Sequence, residues 1–114
     1  MTDCIFCQIR DGAIPARLLH QDDQAIAFAD LNPQAPLHAL VIPRRHIATL
    51  NDLAPGDEAL IGHLVAVAAG LAKAAGYGDS GYRTLLNCNR AAGQSVFHLH
   101  LHLLAGRSLG WPPG

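Results

Sequence analysis

His98, His100 and His102 alternate with Leu99, Leu101 and Leu103. In an extended strand successive side chains point to opposite faces, so this spacing turns the imidazoles to one side and the leucines to the other. The chain must therefore fold so that one face of its last strand meets a core while the other meets something that uses histidine. Strands favour Val, Thr and aromatic residues, so a file of imidazoles is not there to build the sheet. Imidazole is the side chain whose pKa lies nearest neutrality, which leaves nucleophilic catalysis, proton transfer and metal binding open. Two histidines two residues apart can share one Zn²⁺, but the whole file spans about 13 Å, too far for one ion to hold all of it. At least one ring is left for a substrate, and Gly93-Gln94-Ser95 just before the file brings polar donors that suit a phosphoryl oxygen. His100, at the centre, has an imidazole on each side to steer it.

The rest of the chain predicts what this strand packs against. Residues 4–10 read as one or two helical turns ended by Asp11-Gly12. Residues 18–20 and 25–29 flank Asp22-Asp23 and form a candidate hairpin, and residues 38–42 read as a third strand ended by Pro43. Between residues 55 and 76, Leu60, Leu64, Val67 and Leu71 recur at helical steps, with Asp57 and Glu58 near the start and Lys73 near the end. Residues 82–88 and 96–104 complete two strands joined by the loop 89–94, most simply as an antiparallel pair. The expectation is an α+β domain over residues 1–114: a mainly antiparallel five-stranded sheet with one long helix and a short N-terminal helix.

Composition removes several classes of function. With 50% hydrophobic and 15% charged residues the chain is not disordered, and no apolar run reaches the roughly 18 residues of a membrane helix. A net charge of -1 gives no positive excess to draw a polyphosphate backbone, so neither nucleic acid nor membrane is an expected partner. Met1-Thr2-Asp3-Cys4 has neither the basic nor the apolar region of an export signal, and the expected location is cytoplasmic. Three cysteines in that setting point to free thiols or a metal site rather than a disulfide framework.

Phe97-His98-Leu99-His100-Leu101-His102-Leu103-Leu104 resembles the histidine triad (HIT) motif, His-φ-His-φ-His-φ-φ with φ apolar. The resemblance continues through residues 5–9, 27–36, 40–47 and 93–97. The ending Trp111-Pro112-Pro113-Gly114 is similar to that of the Hint branch, the purine nucleoside phosphoramidases, rather than the dinucleoside polyphosphate hydrolases. It implies that His100 attacks the α-phosphorus of an AMP or GMP phosphoramidate and expels the amine. Water then releases the nucleoside monophosphate from a nucleotidyl-histidine intermediate. It further implies that His102 binds phosphate oxygens and, as a cation, stabilises developing charge. Ser95 would donate toward the leaving group, with Asn87 and the backbone of Gly93, Gln94, Ser95 and Val96 on the phosphate. Asp30 would receive the ribose hydroxyls, and Phe6, Ile9, Phe28 and Leu31 would line a base slot.

Cys4-Ile5-Phe6-Cys7 is a weak motif alone. By the same resemblance, Cys4, Cys7, His38 and His98 would form a closed structural zinc site, with no cofactor needed for the chemistry. Read without the family, Ser95 and Asp30 suit turns and Asn87 a strand end. His38 and His98 then suit a hydrogen-bonded network behind the nucleophile. Cys88 is expected to pack, and His20, His46, His63 and Arg44-Arg45 to be surface residues without a role. The resemblance also implies a C₂ homodimer whose Trp111-bearing tail approaches the partner's site. Three rivals share these residues: a zinc hydrolase using the histidine file as ligands, a nucleotidylyl transferase or dinucleoside polyphosphate hydrolase, and a nucleotide-binding module keeping the triad for affinity.

Overall fold

The computed structural model describes residues 3–114; Met1 and Thr2, part of the stretch read for an export signal, lie outside it. Five antiparallel strands form one sheet in the order β1-β2-β3-β5-β4. They are β1 (Leu18–Gln21), β2 (Ala25–Ala29), β3 (Leu37–Pro43), β4 (Tyr82–Leu86) and β5 (Leu101–Ala105), with α1 (Ile5–Arg10) and α2 (Glu58–Ala74) beside them. This is the α+β architecture expected. Among the described residues no helix is long and apolar enough to cross a membrane.

The central strands β2 and β3 are buried on both faces, and period-2 alternation sorts what goes where. Ala25 and Ala27 of β2, Ala39 and Val41 of β3, and Leu101 and Leu103 of β5 pack against Leu64, Val67, Ala68 and Ala72 of α2. The small alanines let the helix lie close to the sheet. Ile26, Phe28, Leu40 and Ile42 point the other way and form a second cluster with Phe6 of α1. The Tyr77 and Gly76 amides close the end of α2 on Ala72 and Lys73 carbonyls, and Gly76 takes the left-handed φ of 90° that such a helix stop requires.

The β1–β2 turn is tied to α2 by histidines that the sequence left as plain surface. His20 Nε2 and His63 Nε2 both meet Asp22 Oδ2, at 2.6 and 2.7 Å. Burial alone would raise the Asp22 carboxyl, but His20, the amides of Gln24 and Ala25, and His63 together hold it well below the usual carboxylate range.

The last strand is shorter than expected. Its ladder begins at Leu101, opposite Val41 on one side and Leu86 on the other, and not near residue 96. Continuing the register toward the N-terminus would set Leu99 opposite Pro43, which has no N–H to give. Leu99 N–H instead bonds the Ile47 carbonyl at 2.6 Å. His98 and His100 therefore stand on an irregular segment ahead of β5, although Leu99, Leu101 and Leu103 all reach the core.

Candidate active site

A cavity of about 310 Å³ opens between α1, the sheet and the loop before β5. Phe6, Ile9, Phe28, Leu31 and Val96 contribute apolar lining, and Asp30, Asn87, Gly93, Ser95, His100 and His102 contribute polar lining. The structure thus brings these expected residues together. Ile14, Pro15 and Ala16 also line it. Sequence reasoning passed over them because a loop between α1 and β1 carries no periodicity to assign.

Gln94 is the exception among the expected contacts and is a correction. Its side chain is 7% exposed and turned inward, onto Asn89 N–H and the carbonyls of Ala48 and Val96, so it is absent from the cavity wall. Its own amide N–H is occupied by the Asn89 carbonyl.

His100 is buried, and its Nδ1–H donates to the His98 carbonyl at 2.7 Å. A carbonyl only accepts, so in the neutral ring the lone pair lies on Nε2. Burial lowers the His100 pKa, against the opposing His98 carbonyl and Asp30 carboxylate, which keeps that lone pair unprotonated at neutral pH. Phe6 meets this ring edge to face, with centroids 5.0 Å apart.

The orientation of His102 is set through a chain of bonds. Gln34 N–H donates to His38 Nδ1 at 3.0 Å, which places the proton of neutral His38 on Nε2. That Nε2 stands 2.9 Å from His102 Nδ1 and 3.3 Å from Asp30 Oδ2. With its Nδ1 accepting from His38, neutral His102 carries its own proton on Nε2. Burial, with His100 and His38 adding repulsion, depresses His102 to about 4, with Asp30 opposing. The resting ring is therefore a neutral donor, not the cation expected from the sequence.

The metal assignment changes as well. His38 belongs to the Asp30–His102 group and is not near the cysteines. Cys4, Cys7, His46 and His98 are the residues whose ligand atoms all lie within 4.8 Å of one another. The register explains the substitution: His38 pairs with Leu104, up to about 20 Å of extended chain from His98. His46 lies just past the end of β3, beside His98. The signal in the sequence was the antiparallel pairing itself, which brings the residues after Pro43, not those before Leu40, level with the first triad histidine.

The donor set fits zinc. His98 Nε2–H donates to the Pro43 carbonyl at 2.8 Å, so its lone pair is on Nδ1, toward the group. From there Cys4 Sγ and Cys7 Sγ are each 3.4 Å away and His46 Nδ1 3.3 Å. Neighbouring N and S ligand atoms around tetrahedral Zn²⁺ stand about 3.3–3.6 Å apart. The carbonyl behind His98 is the outer partner a ligating imidazole usually has. Burial pushes the Cys7 thiol up, Cys4 adding to it, and depresses His98 to about 4.

The chain matches, over residues 3–110, the family described as scavenger mRNA decapping enzyme C-term binding. It is 48% identical over 112 residues to an uncharacterized HIT-like protein of Synechococcus elongatus, covering 98% of this chain and 97% of that one. The chain belongs to the histidine triad superfamily. Among solved structures, a HIT family hydrolase from Legionella pneumophila superposes on this HIT chain with a TM-score of 0.96 at 47% identity, covering 98% of this chain and all, 100%, of that one. A histidine triad protein from Clostridium difficile gives 0.93 at 42% identity over 96% of both chains.

Proposed function

We propose that this HIT chain is a nucleotide hydrolase that cleaves the P–N bond of purine nucleoside 5'-phosphoramidates. The observation that carries this reading is the His100 bond to the His98 carbonyl, which leaves an unprotonated Nε2 on a residue lining a cavity of mixed apolar and polar walls. The apolar lining suits a flat purine, read by shape, and the Asp30 carboxylate, also in the lining, would accept hydrogen bonds from the ribose hydroxyls. His100 Nε2 forms a bond to the α-phosphorus as the P–N bond breaks, and the leaving nitrogen takes up a proton from solvent, relayed through the Ser95 hydroxyl. His102 Nε2–H and the amides of Ser95 and Val96 donate to the phosphoryl oxygens, where charge grows. Water then attacks phosphorus and releases a proton to solvent, the N–P bond breaks with its electron pair returning to His100 Nε2, and the nucleoside monophosphate leaves.

Zinc, in this reading, is held by Cys4, Cys7, His46 and His98 in a closed four-ligand shell and supplies bracing rather than chemistry. It would join α1, which carries Phe6 and Ile9 of the base slot, to the carbonyl that orients His100. The protein would also work as a C₂ homodimer. Trp111 is 84% exposed and lies outside its own chain's cavity, which suits a tail reaching a partner.

The deciding experiment is AMP release from adenosine 5'-phosphoramidate, with and without a strong chelator, by the native protein and His100→Ala. Release that survives the chelator and disappears in His100→Ala supports the reading, and mass spectrometry of quenched enzyme should find AMP on His100. No release by the native protein points to a transferase or a binding module, and unchanged release by His100→Ala removes the nucleophile. Sedimentation at micromolar protein tests the dimer, which a species near 12 kDa would refute.

A further inference from the structure

Because β5 is regular only over Leu101–Ala105, the segment that places Ser95, His98 and His100 is held by something other than a sheet ladder. Besides the His98 ring, which bonds the Pro43 carbonyl and meets His46, two bonds fasten it to the chain after β3. Leu99 N–H donates to the Ile47 carbonyl at 2.6 Å, and the Gln94 side-chain nitrogen donates to the Ala48 carbonyl at 2.9 Å. That nitrogen also donates to the Val96 carbonyl at 3.1 Å, while the amide oxygen accepts from Asn89 N–H at 2.8 Å. These partners define the amide's orientation, since a flipped group would set its oxygen against both carbonyls.

The backbone this amide grips is strained. Asn89 has φ 65° and ψ -171°, a region populated almost only by glycine because a Cβ crowds the backbone there. It is the one non-glycine with positive φ among the described residues. The Gln94 main-chain N–H also returns to the Asn89 carbonyl, at 3.1 Å. Asn89 is thus held on its N–H by the Gln94 side chain and on its carbonyl by the Gln94 main chain. Neither residue lines the cavity.

We propose that Gln94 is a positioning residue: its buried amide holds Asn89 in the strained state that sets Ser95 and the His98–His100 segment against the substrate's phosphorus. The inference rests on the nucleotide hydrolase reading above. Without the amide, Asn89 relaxes toward an ordinary negative φ, the turn over Arg90–Ala92 shifts and Ser95 moves with it. The apolar slot, built by α1 and β2 across the cavity, is left in place. Loss of Gln94 should therefore lower kcat far more than it raises KM. Glycine at position 89 takes the same backbone state without strain and should make Gln94 partly dispensable.

The test compares the native protein, Gln94→Ala, Asn89→Gly and the double variant. It reads kcat and KM for AMP release from adenosine 5'-phosphoramidate, together with amide exchange over residues 89–96. Gln94→Ala is expected to lose at least tenfold in kcat with KM within threefold, and Asn89→Gly to stay within twofold of native. The double variant should regain at least threefold of the lost kcat. A double variant as impaired as Gln94→Ala, or a Gln94→Ala with native kcat, overturns the proposal. If Gln94→Ala fails to fold, a folded double variant is the same rescue, and failure of both overturns the positioning role. Should the native protein release no AMP, the hydrolase reading falls separately, and exchange decides. Faster exchange in Gln94→Ala that the double variant reverses keeps Gln94 as the loop's positioning residue, and unchanged exchange removes it.

Discussion

Phe6→Ala tests how the short N-terminal helix serves the site. Phe6 is 7% exposed and meets Phe28 at 5.3 Å and His100 at 5.0 Å between ring centroids, both edge to face. Each such contact contributes about 0.5–1.5 kcal/mol beyond simple burial, and burial of the ring itself about 1.5–3 kcal/mol. A phenylalanine lost from a closed core costs about 3–5 kcal/mol, but this one borders an open cavity and belongs to the smaller cluster on the α1 face. The expected loss is therefore near the lower end, about 3 kcal/mol, or a fall in Tm of about 10–15 °C for a chain of this size. The base slot loses a wall at the same time, so KM should rise about tenfold. The His98 carbonyl still orients His100, so kcat should fall less than KM rises. Thermal unfolding monitored by circular dichroism and steady-state AMP release measure both effects. A Tm within 3 °C of native together with an unchanged KM would refute the reasoning, because Phe6 would then be neither packing the helix nor shaping the slot. Phe6→Leu, which keeps much of the volume, should fall between the two.

Asp30→Asn keeps the acceptor for the Asn32 amide but weakens the charge-assisted bonds offered to ribose, so kcat/KM should fall ten- to a hundredfold, about 1.4–2.8 kcal/mol, chiefly through KM; a substrate analogue without ribose hydroxyls should lose the same amount on the native protein and little on the variant. Since His102 is depressed to about 4 in the fold against about 6.5 unfolded, the unfolded chain binds more protons between those values, and stability should fall as pH drops through that window. Denaturant titration at pH 7, 5.5 and 4.5 checks this, and a midpoint that rises on acidification contradicts it. Protein purified from zinc-supplemented medium should carry one metal per chain by elemental analysis. His46→Ala and Cys7→Ala should lose it and His38→Ala retain it; retention by His46→Ala would restore the assignment to His38.

Much of the architecture was legible in local pattern. The leucines at 99, 101 and 103 announced a core-facing side, and the spacing of Leu60, Leu64, Val67 and Leu71 announced α2, because side-chain direction follows backbone period within a single element. The grouping of Asp30, Asn87, Ser95 and His100 around one cavity was legible only through the family resemblance, since no local signal links residues so far apart in the chain. Gln94 shows the limit of that route: its residue type suits a phosphate contact, but a buried amide goes where unpaired backbone groups need it.

By itself, then, the sequence determined the order of the elements, the leucine and histidine sides of the segment that ends in β5, and the chemistry its rings offer. Which histidine joins the cysteines, where the last ladder stops, and whether His102 rests charged or neutral were decided by tertiary structure. Each depends on partners brought in from distant parts of the chain. The antiparallel register lifts His46 to His98 and carries His38 to His102, Pro43 withholds the N–H that would extend β5, and burial beside two other imidazoles removes the charge from His102.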